Sequence, residues 1–142
     1  MSENVIFAGD DHKAVRRTVD QYVRGLEAAD FDAVANCFTE DAFYSHGAYD
    51  PQLNTTRAEV KGRGKLLDML KSKRRSRTWV HELHAFTVAD GRCYLEGVLR
   101  ETADGPLVAS YVGCGSFDEA GKLTRWVAYS SRPPVGAALA AD

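Results

Sequence analysis

Residues 77–132 hold four segments of β character divided by three short polar turns, and that pattern constrains the fold more than any other stretch of the chain. The segments run Arg77 to Val88, Arg92 to Thr102, Leu107 to Phe117 and Leu123 to Arg132. Their separators are Ala89-Asp90-Gly91, Ala103-Asp104-Gly105 and Asp118-Glu119-Ala120-Gly121. Each places glycine at or near the position where a hairpin turn needs a positive φ. Strands joined by turns this short pair with their sequence neighbours, so the second half of the chain is expected to form an antiparallel meander.

The first half follows helical spacing instead. Val15, Val19, Tyr22, Val23 and Leu26 form one apolar stripe of a helix over about 11–29, capped by Asp10 or Asp11. Asp30 is placed to cap a second helix carrying Phe31, Val34 and Phe38. Thr39-Glu40-Asp41 ends it, and Ala42 to His46 alternates as a strand with Ala42, Tyr44 and His46 on one face. Residues 48–61, with Pro51 and Asn54, read as a polar loop forming a rim or lid. A third helix from Gly62 to about Arg74 buries Leu66, Leu67, Met69 and Leu70. The order α-α-β-α-β-β-β-β is that of an α+β domain with its helices first. Residues 1–9 read as an arm, and 133–142, opening on Pro133-Pro134, as a flexible tail.

A chain of 142 residues, 44% hydrophobic and 27% charged, is enough for one domain with a real core. Its net charge of −2 and the absence of any reader motif argue against nucleic acid. The basic run Lys71 to Arg77 reads as a solvated helix end whose cations complement the helix dipole. No apolar run approaches a membrane span, and Met1-Ser2-Glu3-Asn4 lacks the features of a signal peptide. Cys37, Cys93 and Cys114 have no metal spacing and read as reduced core thiols of a cytoplasmic protein.

The order of elements, with AADFDAVANCFTEDAFYSHG at 28–47 and FDEAGKLTRWVAY at 117–129, resembles the nuclear-transport-factor-2-like, or SnoaL-like, superfamily. That group includes polyketide cyclases, ketosteroid isomerase, scytalone dehydratase and limonene epoxide hydrolase. The resemblance covers about 10–132 and implies a cone-shaped α+β barrel, three helices packed on a strongly curved, mostly antiparallel sheet. It further implies a small hydrophobic molecule bound inside the cone and a homodimer formed through the outer face of the sheet.

Alternation names the side chains expected inside. After Ala42, Tyr44 and His46 come Trp79, His81 and Leu83, then by hairpin pairing Tyr94, Glu96 and Val98. Val108, Ser110 and Val112 follow, and Trp126, Ala128 and Ser130 close the sheet. A single bulge would turn a strand over. On this reading His46, His81, Glu96 and Tyr22 are the catalytic candidates, with Tyr44, Tyr94, Val98, Ser110 and Trp126 as walls of the binding site. A glutamate on an apolar wall is expected to pair with His81 or to stay protonated.

Compared residue by residue, Tyr22 resembles the first-helix tyrosine of ketosteroid isomerase, while His46 and Ser110 stand where its base and acid would be. The Asp-Arg-Asp set of limonene epoxide hydrolase is missing, since the chain reads Trp126-Val127-Ala128 where a Trp-Arg-Asp is needed. Scytalone dehydratase and the bile-acid dehydratases are more similar, with His81 and Glu96 at their strand positions and Glu27 near their helix-one acid. The residue types suit proton abstraction beside a carbonyl, with histidine as base and a phenol donating to the resulting oxyanion. The expectation is a cofactor-independent dehydratase, isomerase or cyclase acting on a small hydrophobic oxygenated ring compound, without metal. The alternative is a non-catalytic protein that binds such a ligand, and an epoxide hydrolase ranks third.

Overall fold

The computed structural model describes residues 5–10, 12–47, 57–73 and 78–140. Its elements in chain order are β1 (Ile6–Gly9), α1 (Lys13–Ala28), α2 (Phe31–Ala35), β2 (Phe38–Gly47), β3 (Arg57–Lys61) and α3 (Arg63–Lys73). There follow β4 (Val80–Ala89), β5 (Arg92–Arg100), β6 (Leu107–Phe117), β7 (Leu123–Ser131) and the short α4 (Ala137–Ala140). The strands make one seven-stranded sheet in the order β1-β4-β5-β6-β7-β2-β3. It is mixed: β1 runs parallel to β4 and β2 parallel to β7, while every other pair is antiparallel. The helices cover one face, and the sheet stays open, with β1 and β3 as its two edges.

The apolar stripe of α1 packs onto that face. Val15, Val19, Tyr22, Val23 and Leu26 are all buried there with Phe38, Tyr44, Phe86, Leu95 and Trp126. His12 caps α1, its ring Nδ1 accepting from the backbone N–H of Val15 at 3.2 Å while the ring packs edge-on against Phe117. Of the two expected caps, Asp11 lies outside the described residues, and Asp10 instead donates its backbone N–H to Val88 O at 2.7 Å, which fastens the end of β1 to β4. Asp30 caps α2 through Ala33 N–H, as the spacing predicts. From α3, Leu66, Met69 and Leu70 are buried and Leu67 is half-buried.

Two segments read as arm and loop are strands. Residues 6–9 add a parallel edge beside β4, and residues 57–61 pair with β2 from Phe43↔Lys61 to Gly47↔Arg57. Both are short and mostly exposed, so they carry little of the apolar alternation by which a strand is recognised. The remainder of the expected lid, 48–56, and the basic residues 74–77 lie outside the described residues. The tail beyond β7 includes α4 and is tied back by a hydrogen bond from Val135 N–H to Ser110 Oγ at 2.8 Å.

The meander is present with one insertion that matters. Leu83 pairs with Gly97, but Ala85 pairs with Glu96, so β4 carries one extra residue, His84, against β5. Without this bulge Leu83, Ala85 and Thr87 would share a face, and their partners Glu96 and Tyr94 would share it too. With it, Leu83, Phe86 and Val88 point inward and set Cys93, Leu95 and Gly97 beside them. The reversal passes to β6, whose inner set becomes Ala109, Tyr111, Gly113 and Gly115. The expected inner facing of Tyr94, Glu96, Val98, Val108, Ser110 and Val112 is therefore corrected: these side chains stand on the convex face.

Candidate functional site

Strands β2 and β7 keep the expected facing. Tyr44 pairs with Trp126 in parallel register, and both are buried under α1. Tyr22 meets them from the helix, its hydroxyl 2.9 Å from that of Tyr44 and its ring 5.3 Å from the indole of Trp126. His46, two residues beyond Tyr44, stacks on its ring at 6.1 Å with an interplanar angle of 11°, and its Nδ1 lies 2.8 Å from Gly47 O. Tyr22, Tyr44, His46 and Trp126 thus form one aromatic cluster with a hydroxyl pair at its centre.

A second polar cluster lies further along α1. Glu27 stands one turn beyond Val23, on the flank of the buried stripe, and reaches the start of β4. Its Oε2 accepts from the backbone N–H of His81 at 2.6 Å and lies 3.2 Å from His81 Nδ1. Oε1 accepts from Arg24 Nη1 at 2.6 Å. The His81 and Glu27 side chains are only 12% and 16% exposed, whereas that of Arg24 is 46% exposed. Burial pushes the Glu27 carboxyl up, but the hydrogen bonds from His81 and Arg24 outweigh it and hold the group below its ordinary value. Glu27 is therefore ionised at neutral pH and can only accept. The proton between the two groups is accordingly assigned to Nδ1, which leaves the lone pair of the neutral imidazole on Nε2.

Tyr111 completes this cluster. Its ring meets the His81 ring edge-on with centroids 5.5 Å apart. Among the described residues its hydroxyl has no hydrogen-bond partner, although it is sealed from water. Trp126 Nε1 is sealed and unpartnered in the same sense.

Of the residues expected at the site, Tyr22, Tyr44, His46, His81 and Trp126 line the concave side. Glu96 does not: it is exposed on the convex face, and the expected pair with His81 is not formed. Tyr94, Val98 and Ser110 share that outer face for the same reason, the bulge at His84. The carboxylate that does hold His81 comes from the helix. The resemblance already set Glu27 near the helix-one acid of the dehydratases, and it flanks the buried stripe of α1 as Asp20 does. Tyr111 was detectable through its alternation with the small residues Ala109, Gly113 and Gly115. Among the described residues no group of three or more His, Cys, Asp or Glu side chains is arranged to hold a metal ion.

Residues 19–126 match the family model described as the SnoaL-like domain. A comparison with curated proteins finds no match. Solved structures share the fold at low identity. An NTF-2-like protein of unknown function from Burkholderia xenovorans is 21% identical, with a TM-score of 0.62 and 85% of each chain covered. An epoxide hydrolase of the LEH-like type from M. tuberculosis is 16% identical, with a TM-score of 0.64 and 86% of each chain covered. A candidate isomerase of the SnoaL-like family from Agrobacterium tumefaciens is 13% identical, with a TM-score of 0.63, covering 84% of this chain and 99% of that one. At these identities the likeness is one of architecture, and one architecture hosts many chemistries.

Proposed function

Because the chain belongs to the SnoaL-like domain family, we propose that it is a cofactor-independent acid–base enzyme of the dehydratase, isomerase or cyclase kind. Its substrate is a small hydrophobic oxygenated ring compound, and His81 is the base. The observation that carries this reading is the double hold of Glu27 Oε2 on the backbone N–H and ring Nδ1 of His81. A carboxylate so placed fixes the tautomer, stabilises the imidazolium that forms on proton abstraction and prevents the ring from turning away. Tyr22 and Tyr44 supply phenol groups on the same concave side, and His46 stands beside them as a second acid–base group. Further parts of the proposal are a cytoplasmic location, suited to three free cysteines, and a homodimer. Among the described residues no helix is long and apolar enough to cross a membrane.

The test is a screen of hydroxylated ring ketones for loss of water, double-bond migration or ring closure, followed by His81→Ala on the best substrate. Turnover is expected to fall about 10²–10⁴-fold while the fold persists. A loss below about tenfold would remove His81 as the base, and a parent that binds such compounds but turns none of them over would favour the non-catalytic binding protein instead.

A further inference from the structure

The Tyr111 hydroxyl is an unusual group to bury. It is a strong hydrogen-bonding group, sealed from water and unpartnered among the described residues, and the fold alone gains nothing from it. The sheet nonetheless makes room for it. Tyr111 pairs with Gly97 across β5 and β6, and its phenol lies over that glycine, where a side chain would collide first with the backbone carbonyl of Glu82 on β4 and then with the hydroxyl. The phenol is thereby laid toward β4 with its ring against His81.

We propose that Tyr111 donates its hydroxyl proton to the carbonyl oxygen of the substrate, beside the C–H bond that His81 opens. This rests on the acid–base reading above and narrows the substrate class to apolar ring ketones or enones with an acidic hydrogen next to the carbonyl. Nε2 of His81 takes the proton, the C–H electron pair becomes the new C=C bond, and the carbonyl π pair moves to the oxygen that Tyr111 holds. Return of that pair expels hydroxide from the β carbon, which leaves as water with the proton from His81. In an isomerase the proton is instead returned to a more distant carbon. Burial, and after it the nearby negative charge of Glu27, push the phenol up, so it stays protonated at neutral pH and acts as donor. Because the hydroxyl is sealed, the ligand oxygen reaches it only when neighbouring side chains part, and no water then competes for the bond.

Tyr111→Phe removes only the unpartnered oxygen, so its Tm is expected at or above that of the parent. A Tm several degrees lower would reveal a native partner and overturn the proposal. The probe is α-tetralone, an apolar bicyclic ketone, isotopically labelled at its carbonyl carbon. Bound to the parent, its carbonyl resonance is expected downfield of the free ketone. In Tyr111→Phe it should return toward the free position, with binding weaker by roughly three- to tenfold. Exchange of the α hydrogens in heavy water should slow by about 10²–10³-fold in Tyr111→Phe and be lost in His81→Ala. Failure of the ketone to bind the parent, or one resonance position in both proteins, overturns the proposal. A resonance that depends on Tyr111, with exchange indifferent to His81, keeps the donor and removes the acid–base reading. Exchange that needs His81, with a resonance indifferent to Tyr111, does the reverse.

Discussion

Glu27 serves two partners with one carboxylate, and its ionisation reports on both. Its folded value lies below the ordinary 4.5, so the stability it contributes is fully present above that value and is lost as pH falls through the folded one. Glu27→Gln keeps an acceptor for the His81 N–H but has no charge to lose. The variant is expected to be less stable than the parent at neutral pH by about 1–3 kcal/mol, with the gap closing well below pH 4.5. Denaturant unfolding at the two pH values checks this, and a gap that persists in acid would place the loss in packing. The thiols offer a second check. Burial pushes Cys37 and Cys93 up to about 12, so native protein should leave both unalkylated by iodoacetamide at neutral pH, and peptide mapping reads the outcome. At this scale the sequence was legible wherever strand alternation ran unbroken: Tyr44 and Trp126 face inward as their spacing implies. It was not legible for Glu96 and Tyr111, because one residue of β4 decides which of them faces the interior.

That residue belongs to the scale of the element. A bulge costs one ladder position and leaves little trace in composition, since His84 is an exposed polar residue like its neighbour Glu82. α1 and α3 were legible to within a few residues because both bury clear stripes, whereas Phe38 to Asp41, read as the end of the second helix, opens β2, and α4 falls in the stretch read as tail. β1 and β3 were not, because edge strands that bury little need no apolar pattern. The inner face of β6 shows how closely elements can constrain each other. Gly113 and Gly115 lie under the indole of Trp126, which has room only because neither carries a Cβ. Gly113→Ala should cost about 1–3 kcal/mol in unfolding free energy by overpacking. Adding Trp126→Phe, which vacates the space over Gly113, should recover part of that loss. A strictly additive double variant would show that the ring and the glycine are not in conflict.

Across the whole molecule the same reversal that fills the concave side sends apolar side chains outward. Tyr94, Val112 and Tyr129 are 40%, 43% and 53% exposed, and Val112 and Tyr129 are direct cross-strand neighbours. Exposed apolar area of this kind on a sheet face supports the proposed pairing of two copies. Val112→Asp is expected to shift the protein toward monomer by light scattering, with the single-chain fold retained. A parent that is monomeric at high concentration would remove the proposal. The parallel pairing of β2 with β7 has a consequence of another kind, concerning the order in which the molecule is assembled. Tyr44 finds its partner Trp126 only near the far end of the described chain, so the strand between α2 and β3 cannot take its place until nearly everything else has been made. Loop closure over that span precedes the reward of the contact, so consolidation is expected to be late and cooperative. A fragment ending at Lys122 should therefore leave β2 and β3, which reach the sheet only through β7, without a strand to join. Amide hydrogen exchange would find them unprotected, even though their own sequence is intact.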